Sequence, residues 1–175
     1  MNNAREYPST DAGPFPAPPA TIEDRAGRTV ELELATTETL DGLVEMYDAF
    51  DPAQRAQGIP PSDPERIKPW VATILDGGVH VIARHDQSVS GHAMLVPDGG
   101  GAFELAIFVL QSYQGAGIGR QLLEHLLGAG EAASVERIWL TVERWNTPAM
   151  ELYRSVGFET VRADRFDLEM AMSIQ

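Results

Sequence analysis

Gln114-Gly115-Ala116-Gly117-Ile118-Gly119-Arg120 follows an apolar run, Phe103 to Leu110, and leads straight into Gln121-Leu122-Leu123-Glu124-His125-Leu126-Leu127. The pattern predicts a strand, a glycine-rich turn and a helix. Glycines at alternate positions permit left-handed backbone and close approach of a ligand. The first turn of the helix offers unpaired N–H groups at the positive end of its dipole, which suits a phosphate. The stretch is read as a pyrophosphate cradle; a plain flexible connection is the competing reading.

Working outward, Thr29 to Leu34 alternates Val30, Leu32 and Leu34 against Glu31 and Glu33, a half-buried strand. Leu40, Leu43, Val44 and Tyr47 share one helical face. Ser62-Asp63-Pro64-Glu65 is a helix start, with Ile67, Trp70, Val71 and Ile74 on the buried side. Pro69 predicts a kink or a second start there. Val79 to His85, Val89 to Val96 and Ala102 to Leu110, joined by short turns, form a meander. The helix after the cradle is expected to stop at Gly128-Ala129-Gly130. Arg137 to Val142 returns as a parallel crossover strand. Asn146-Thr147-Pro148 caps a last helix that Gly157 ends, before a closing hairpin, Glu159 to Arg162 and Phe166 to Ser173. The order β-α-α-β-β-β-α-β-α-β-β is an α/β (α+β) domain of residues 27–175. Residues 1–26, with Pro8, Pro14, Pro16, Pro18 and Pro19, read as a Pro-rich disordered tail.

The chain has 175 residues, no cysteine and a net charge of −13, with twelve Arg against a single Lys, Lys68. The cysteine count excludes disulfides, thiol catalysis and thiolate metal sites. There is no basic face for nucleic acid, no apolar run of membrane-spanning length and no signal sequence, so a cytoplasmic protein is expected. The acidity suits a cationic partner and is also what a halophilic protein would carry. His80, His85, His92 and His125 lack ligand spacing, so no metal is expected and each reads as a surface or turn histidine.

Gln114-x-x-Gly117-x-Gly119 after a strand, with Asn146 to Phe158 (NTPAMELYRSVGF) downstream, resembles the GNAT superfamily of acetyl-CoA-dependent N-acetyltransferases. The resemblance covers about Thr29 to Ser173. It implies a mixed, mostly antiparallel sheet of six to seven strands with about four helices, and a V-shaped splay between 102–110 and 137–142. It implies acetyl-CoA as co-substrate. The pyrophosphate would lie on the main chain of Gln114, Gly115, Ala116, Gly117, Ile118, Gly119 and Arg120, with Ile118 mainly packing. Arg120 would add charge near the phosphates, or is simply a solvated helix residue. The pantetheine would pair with Phe108, Val109 and Leu110. Asn146 would cap its helix, contact the CoA arm, or both.

Acetyl transfer needs a base for the amine and a proton for the leaving thiolate. Glu104, one charge in an apolar run, is the candidate base; its alternative is a strand Glu facing solvent. Tyr153 is the candidate acid; its alternative is a core tyrosine with a satisfied hydroxyl. Phe103 to Val109 with Tyr113-Gln114-Gly115, and Tyr47 to Phe50, resemble protein-lysine acetyltransferases, so a protein lysine is the first acceptor expected. A small amine (polyamine, amino acid or aminoglycoside-like) and a non-catalytic acyl-CoA-binding module are the alternatives. A homodimer through the last strands is compatible with the sequence.

Overall fold

The computed structural model describes residues 4–55 and 58–175. In it the chain runs β1 (Ala20–Glu23), β2 (Thr29–Leu34), α1 (Leu40–Asp48), α2 (Pro64–Leu75), β3 (Val79–His85), β4 (Ser88–Pro97), β5 (Phe103–Val109), α3 (Ile118–Ala132), β6 (Arg137–Glu143), α4 (Thr147–Val156), β7 (Glu159–Ala163) and β8 (Asp167–Ser173). Among the described residues eight strands form one sheet in the order β1-β2-β3-β4-β5-β6-β8-β7. All neighbours are antiparallel except β5 and β6. That exception is the crossover through α3 expected from the sequence.

Local chemistry sets the turns. Asp86 and Gln87 both take positive φ, 48° and 68°, the geometry that lets a two-residue hairpin follow the strand twist. Between β4 and β5, the Asp98 carboxylate accepts from Gly100 N at 2.7 Å and Ala102 N at 3.2 Å. Asp63 caps α2 through Glu65 N at 3.0 Å, one residue later than a Ser62 cap would be. Pro69 sits inside α2, which continues through it to Leu75.

Strand alternation divides the core between the two faces. Leu105, Leu122, Leu123, Leu126, Ile138, Leu140, Val156 and Met170 belong to the cluster beneath α3 and α4. Leu43, Met46, Tyr47, Ile67, Val71, Met94 and Phe108 belong to the cluster beneath α1 and α2. The strand count exceeds seven because Ala20–Glu23 pairs with β2, Ile22 opposite Val30. The rest of the N-terminal segment also bonds the body. Ala12 N donates to Ser173 O at 2.8 Å and Phe15 N to the Glu131 carboxylate at 3.0 Å. Prolines cost a segment donors, but they do not stop it lying against a preformed surface. Gly128 is part of that surface. A Cβ there would stand 1.9 Å from Pro16 O, so Gly128 and Gly130 stay inside a longer α3 and do not end it.

The histidines differ most from expectation. His80, His92 and His125 are all buried. Tyr47 Oη lies 2.6 Å from His92 Nδ1, His92 Nε2 lies 3.0 Å from His80 Nδ1, and His80 Nε2 lies 2.8 Å from Gly77 O. The carbonyl can only accept, which fixes every proton in the chain. His80 Nε2–H donates to Gly77, His92 Nε2–H donates to His80, and Tyr47 O–H donates to His92. Isolated sequence positions gave no sign of this row, because strand pairing sets His80 against Met94 and brings His92 beside it from β4.

Burial lowers the pKa of His80, and burial together with His80 lowers that of His92 to about 3. Both are neutral in the folded protein at pH 7. The unfolded chain takes up protons below about 6.5 while His92 in the folded state does not, so stability falls as pH drops from about 6.5 toward 3. Urea midpoints measured across that range should decline, and His92→Gln should flatten the slope whatever its absolute stability. An unchanged slope would remove His92 from the acid response.

Candidate active site

The sheet opens where β5 meets β6. Pairing is confined to Phe103 with Ile138 and Glu104 with Trp139. Residues in antiparallel ladders alternate between exchanging main-chain bonds with a neighbour and facing away from it. Asp98 N donates to Ala102 O and Leu110 N to Ser90 O, so the even-numbered residues of β5 bond β4. Ile107 and Val109 therefore turn their N–H and C=O toward β6. Ile174 N to Glu136 O and Arg144 N to Phe166 O fix the same parity on β6. Its even-numbered residues bond β8, and Thr141 turns toward β5. The result is a wedge within the sheet whose walls carry main-chain groups not paired by the opposite strand. Of the three residues expected to meet a pantetheine, Val109 presents its main chain to the wedge. Phe108 and Leu110 give theirs to β4, and Ile107 was not anticipated.

The glycine-rich loop stands at the open end of this wedge. Gly115 and Gly117 take φ of 74° and 89°, and Gly117 is the N-cap of α3 with no side-chain capping hydrogen bond. Ile118 is buried beneath the loop and anchors it. Gln114 turns back, its Nε2 donating to Val109 O at 2.9 Å and to the Gln54 side chain. That joins the loop to the wall of the wedge and to the chain after α1.

Two cations border the loop, and neither was singled out from the sequence. The buried Asp24 carboxylate accepts from Ala26 N at 3.0 Å, Arg28 N at 2.9 Å and Arg28 Nε at 2.7 Å. This turn between β1 and β2 holds Arg25, whose N donates to Ala116 O at 3.0 Å. The Arg25 guanidinium lies 3.7–3.9 Å from where a Gly117 Cβ would stand. Arg28 stacks 4.2 Å from the Tyr113 ring and donates to Ser112 O. The signal was present as alternating Ala20 and Ile22 before an Asp-x-x-Gly-Arg turn, but it lay beside the prolines. Arg120, by contrast, donates to Glu124 at 3.0 Å and to Ser155 Oγ at 3.0 Å, tying α3 to α4.

Glu104 and Tyr153 belong to opposite faces of the sheet. The Glu104 side chain lies on the α1/α2 face with Ala106 and Phe108. Its carboxyl is accessible, yet partial desolvation raises its pKa; Arg5 opposes the rise, and Asp98 and Glu169 add to it. Tyr153 packs into the α3/α4 cluster, edge-on to Phe158 at 5.8 Å. Burial pushes its pKa up to about 12, so the phenol keeps its proton. Asn146 Oδ1 accepts from Ala149 N at 3.3 Å, so it caps α4, a bond worth about 1 kcal/mol.

Residues 43–158 match the model of the acetyltransferase (GNAT) family. The chain belongs to that family. The GNAT domain of S. lividans PAT superposes with a TM-score of 0.77 at 17% identity, covering 89% of this chain and 96% of that one. The yncA protein of Salmonella typhimurium, solved with its cofactor acetyl-CoA, gives 0.68 at 20% identity over 83% and 94%. Ribosomal-protein-alanine N-acetyltransferase of Brucella melitensis gives 0.68 at 25% identity over 82% and 99%. In sequence, 62 residues are 42% identical to the [ribosomal protein bS18]-alanine N-acetyltransferase of Escherichia coli K12, spanning 34% of this chain and 42% of that enzyme.

Acetyl-CoA suits this GNAT site. Main-chain N–H groups at the α3 N-terminus and Arg25 can meet phosphate oxygens, and the wedge can accept an extended amide chain as an added strand. No cluster of potential metal ligands occurs among the described residues. Arg25→Ala should weaken acetyl-CoA roughly fivefold to tenfold, about 1–1.4 kcal/mol, and Gly117→Val should weaken it further because its φ excludes a branched side chain. Isothermal titration checks both, and equal affinity in Arg25→Ala would remove that residue from the phosphate site.

Proposed function

We propose that this protein transfers the acetyl group of acetyl-CoA to a primary amine borne on a polypeptide. The observation that carries the reading is the wedge between β5 and β6, opening beside the glycine loop; Glu104 belongs to the α1/α2 side of the sheet and Tyr153 to the α3/α4 side, which suits them as base and acid. A thioester lying in the wedge is reached by an amine from the α1/α2 face. The amine nitrogen attacks the thioester carbonyl and its proton passes to the Glu104 carboxylate, directly or through a water. The carbon–sulfur bond breaks, and the thiolate takes the Tyr153 proton, leaving an amide and free CoA. The raised pKa of Glu104 makes it a better base than an ordinary carboxylate, and Tyr153 is fully protonated across the working range.

A polypeptide acceptor is favoured by two independent likenesses. The sequence of β5 and the loop resembles protein-lysine acetyltransferases, and two relatives carry names that describe acetylation of a ribosomal-protein alanine. The lysine ε-amine stands first, with the N-terminal α-amine next to it.

Glu104→Gln should lower kcat about a hundredfold or more while leaving acetyl-CoA affinity unchanged. In the wild type the acidic limb of kcat/KM should sit above the ordinary carboxylate range, as the direction of the Glu104 shift requires. Tyr153→Phe should lower kcat about tenfold or more at constant acetyl-CoA affinity. A thiol-release assay read with mass spectrometry, using peptides whose α- or ε-amine is blocked and a panel of polyamines, assigns the acceptor. Turnover confined to small amines would overturn the polypeptide reading, and binding without turnover of any amine would leave an acyl-CoA-binding module.

A further inference from the structure

The α1/α2 face beside Glu104 is already occupied by a cation from the same chain. Trp139 is the parallel partner of Glu104 across the closed end of the wedge. The Arg5 guanidinium carbon lies 3.6 Å from the centroid of the Trp139 ring. Arg5 Nε donates to Glu169, and Arg5 Nη1 lies 3.9 Å from Asp98 Oδ2. Asp98 Oδ2 in turn accepts from Trp139 Nε1 at 3.0 Å, which fixes the indole plane. Glu169 reaches the same face from β8, opposite Thr141 of β6. A cavity of about 270 Å³ adjoins the bound side chain, lined in part by Arg5, Arg162 and Glu169.

An aromatic face between two carboxylates is a site for a planar cation. Arg5 fills it from the N-terminal arm, whose Tyr7 ring lies 5.4 Å from the Arg137 guanidinium on the same face. Further along the arm, Ser173 Oγ donates to Pro8 O at 2.6 Å on this face, and Phe15 N donates to the Glu131 carboxylate at 3.0 Å on the other. Removal of Arg5 would leave Asp98, Glu104 and Glu169 clustered together with Arg162 bordering Glu169 across the cavity, and a net charge of −13 draws cations toward them.

We propose that Trp139, Asp98 and Glu169 form a guanidinium subsite for the acceptor, which Arg5 fills in cis and an arginine of the incoming polypeptide fills in its place. The subsite rests on the acetyl-transfer reading for its role, since it lies beside the candidate base. The arm then competes with substrate, and the enzyme favours acceptors with an arginine near the reactive amine over neutral ones.

Two measurements separate the subsite from the reaction. In the first, Nα-acetyl-arginine amide, which has no amine to acetylate, is titrated while tryptophan fluorescence is followed. Arg5→Ala should show a saturable change at concentrations about tenfold below those needed for wild type, and Arg5→Ala combined with Trp139→Phe should lose the signal. In the second, peptides with arginine or its neutral isostere citrulline beside the reactive amine are compared. Arg5→Ala should lower KM for the arginine peptide several-fold and leave KM for the citrulline peptide and the acetyl-CoA affinity unchanged. Adding Glu169→Gln should erase the difference between the peptides. Saturable binding without turnover would support the subsite and count against the transferase reading. Turnover with equal KM for both peptides in Arg5→Ala, and no fluorescence change, would overturn the subsite and leave Arg5 as a clasp for the N-terminal arm.

Discussion

Everything functional in this structure depends on one interruption of hydrogen bonding. β5 and β6 begin as parallel neighbours and separate after two residue pairs. A sheet interior normally satisfies its main chain on both sides, because unpaired buried N–H and C=O groups are costly. Here the walls of the gap keep polar groups directed at each other across a space. The same feature that weakens the sheet leaves an edge inside it that can accept an extended chain. The glycine loop and α3 lie at the mouth of the gap because the chain leaves β5 at that end, and the crossover through α3 returns it as β6.

The interruption is supported from both faces. The cluster under α3 and α4 holds the strands from one side and the cluster under α1 and α2 from the other, so the sheet does not close the gap by collapsing. The buried row Tyr47-His92-His80 stiffens the second cluster. Each polar atom in the row has a partner, which is the condition under which a polar group is tolerated in an apolar core. The N-terminal segment reinforces the closed end. It crosses from Arg5 over Trp139, past β8, to Pro16 against Gly128, so one stretch of chain touches both sides of the sheet.

The periodic parts of this fold were legible from residue order. Helix α3 shows its buried stripe in Ile118, Leu122 and Leu126, and the hairpins are announced by Asp-Gln and Gly-Gly turns. Family resemblance added the splay and the loop. What escaped was carried by residues without periodic neighbours. Arg25 contacts the loop because Asp24 folds a turn beneath it, and Pro-rich composition masked that turn. The end of α3 was misplaced because Gly128 is required by a neighbour 112 positions away in sequence, Pro16, and helix propensity does not report such a contact.

By itself the sequence determined the strand and helix order, the glycine geometry at the head of α3, and the residue types that bear on the chemistry. Local sterics and the period of apolar side chains suffice for those. Only the tertiary structure decided which main-chain groups face the wedge, because that depends on the parity of pairing on two separate strands. It also decided that three scattered histidine and tyrosine positions share protons, and that an arginine at position 5 rests on a tryptophan at position 139. Those arrangements join residues far apart along the chain, and they follow from the packing of the sheet.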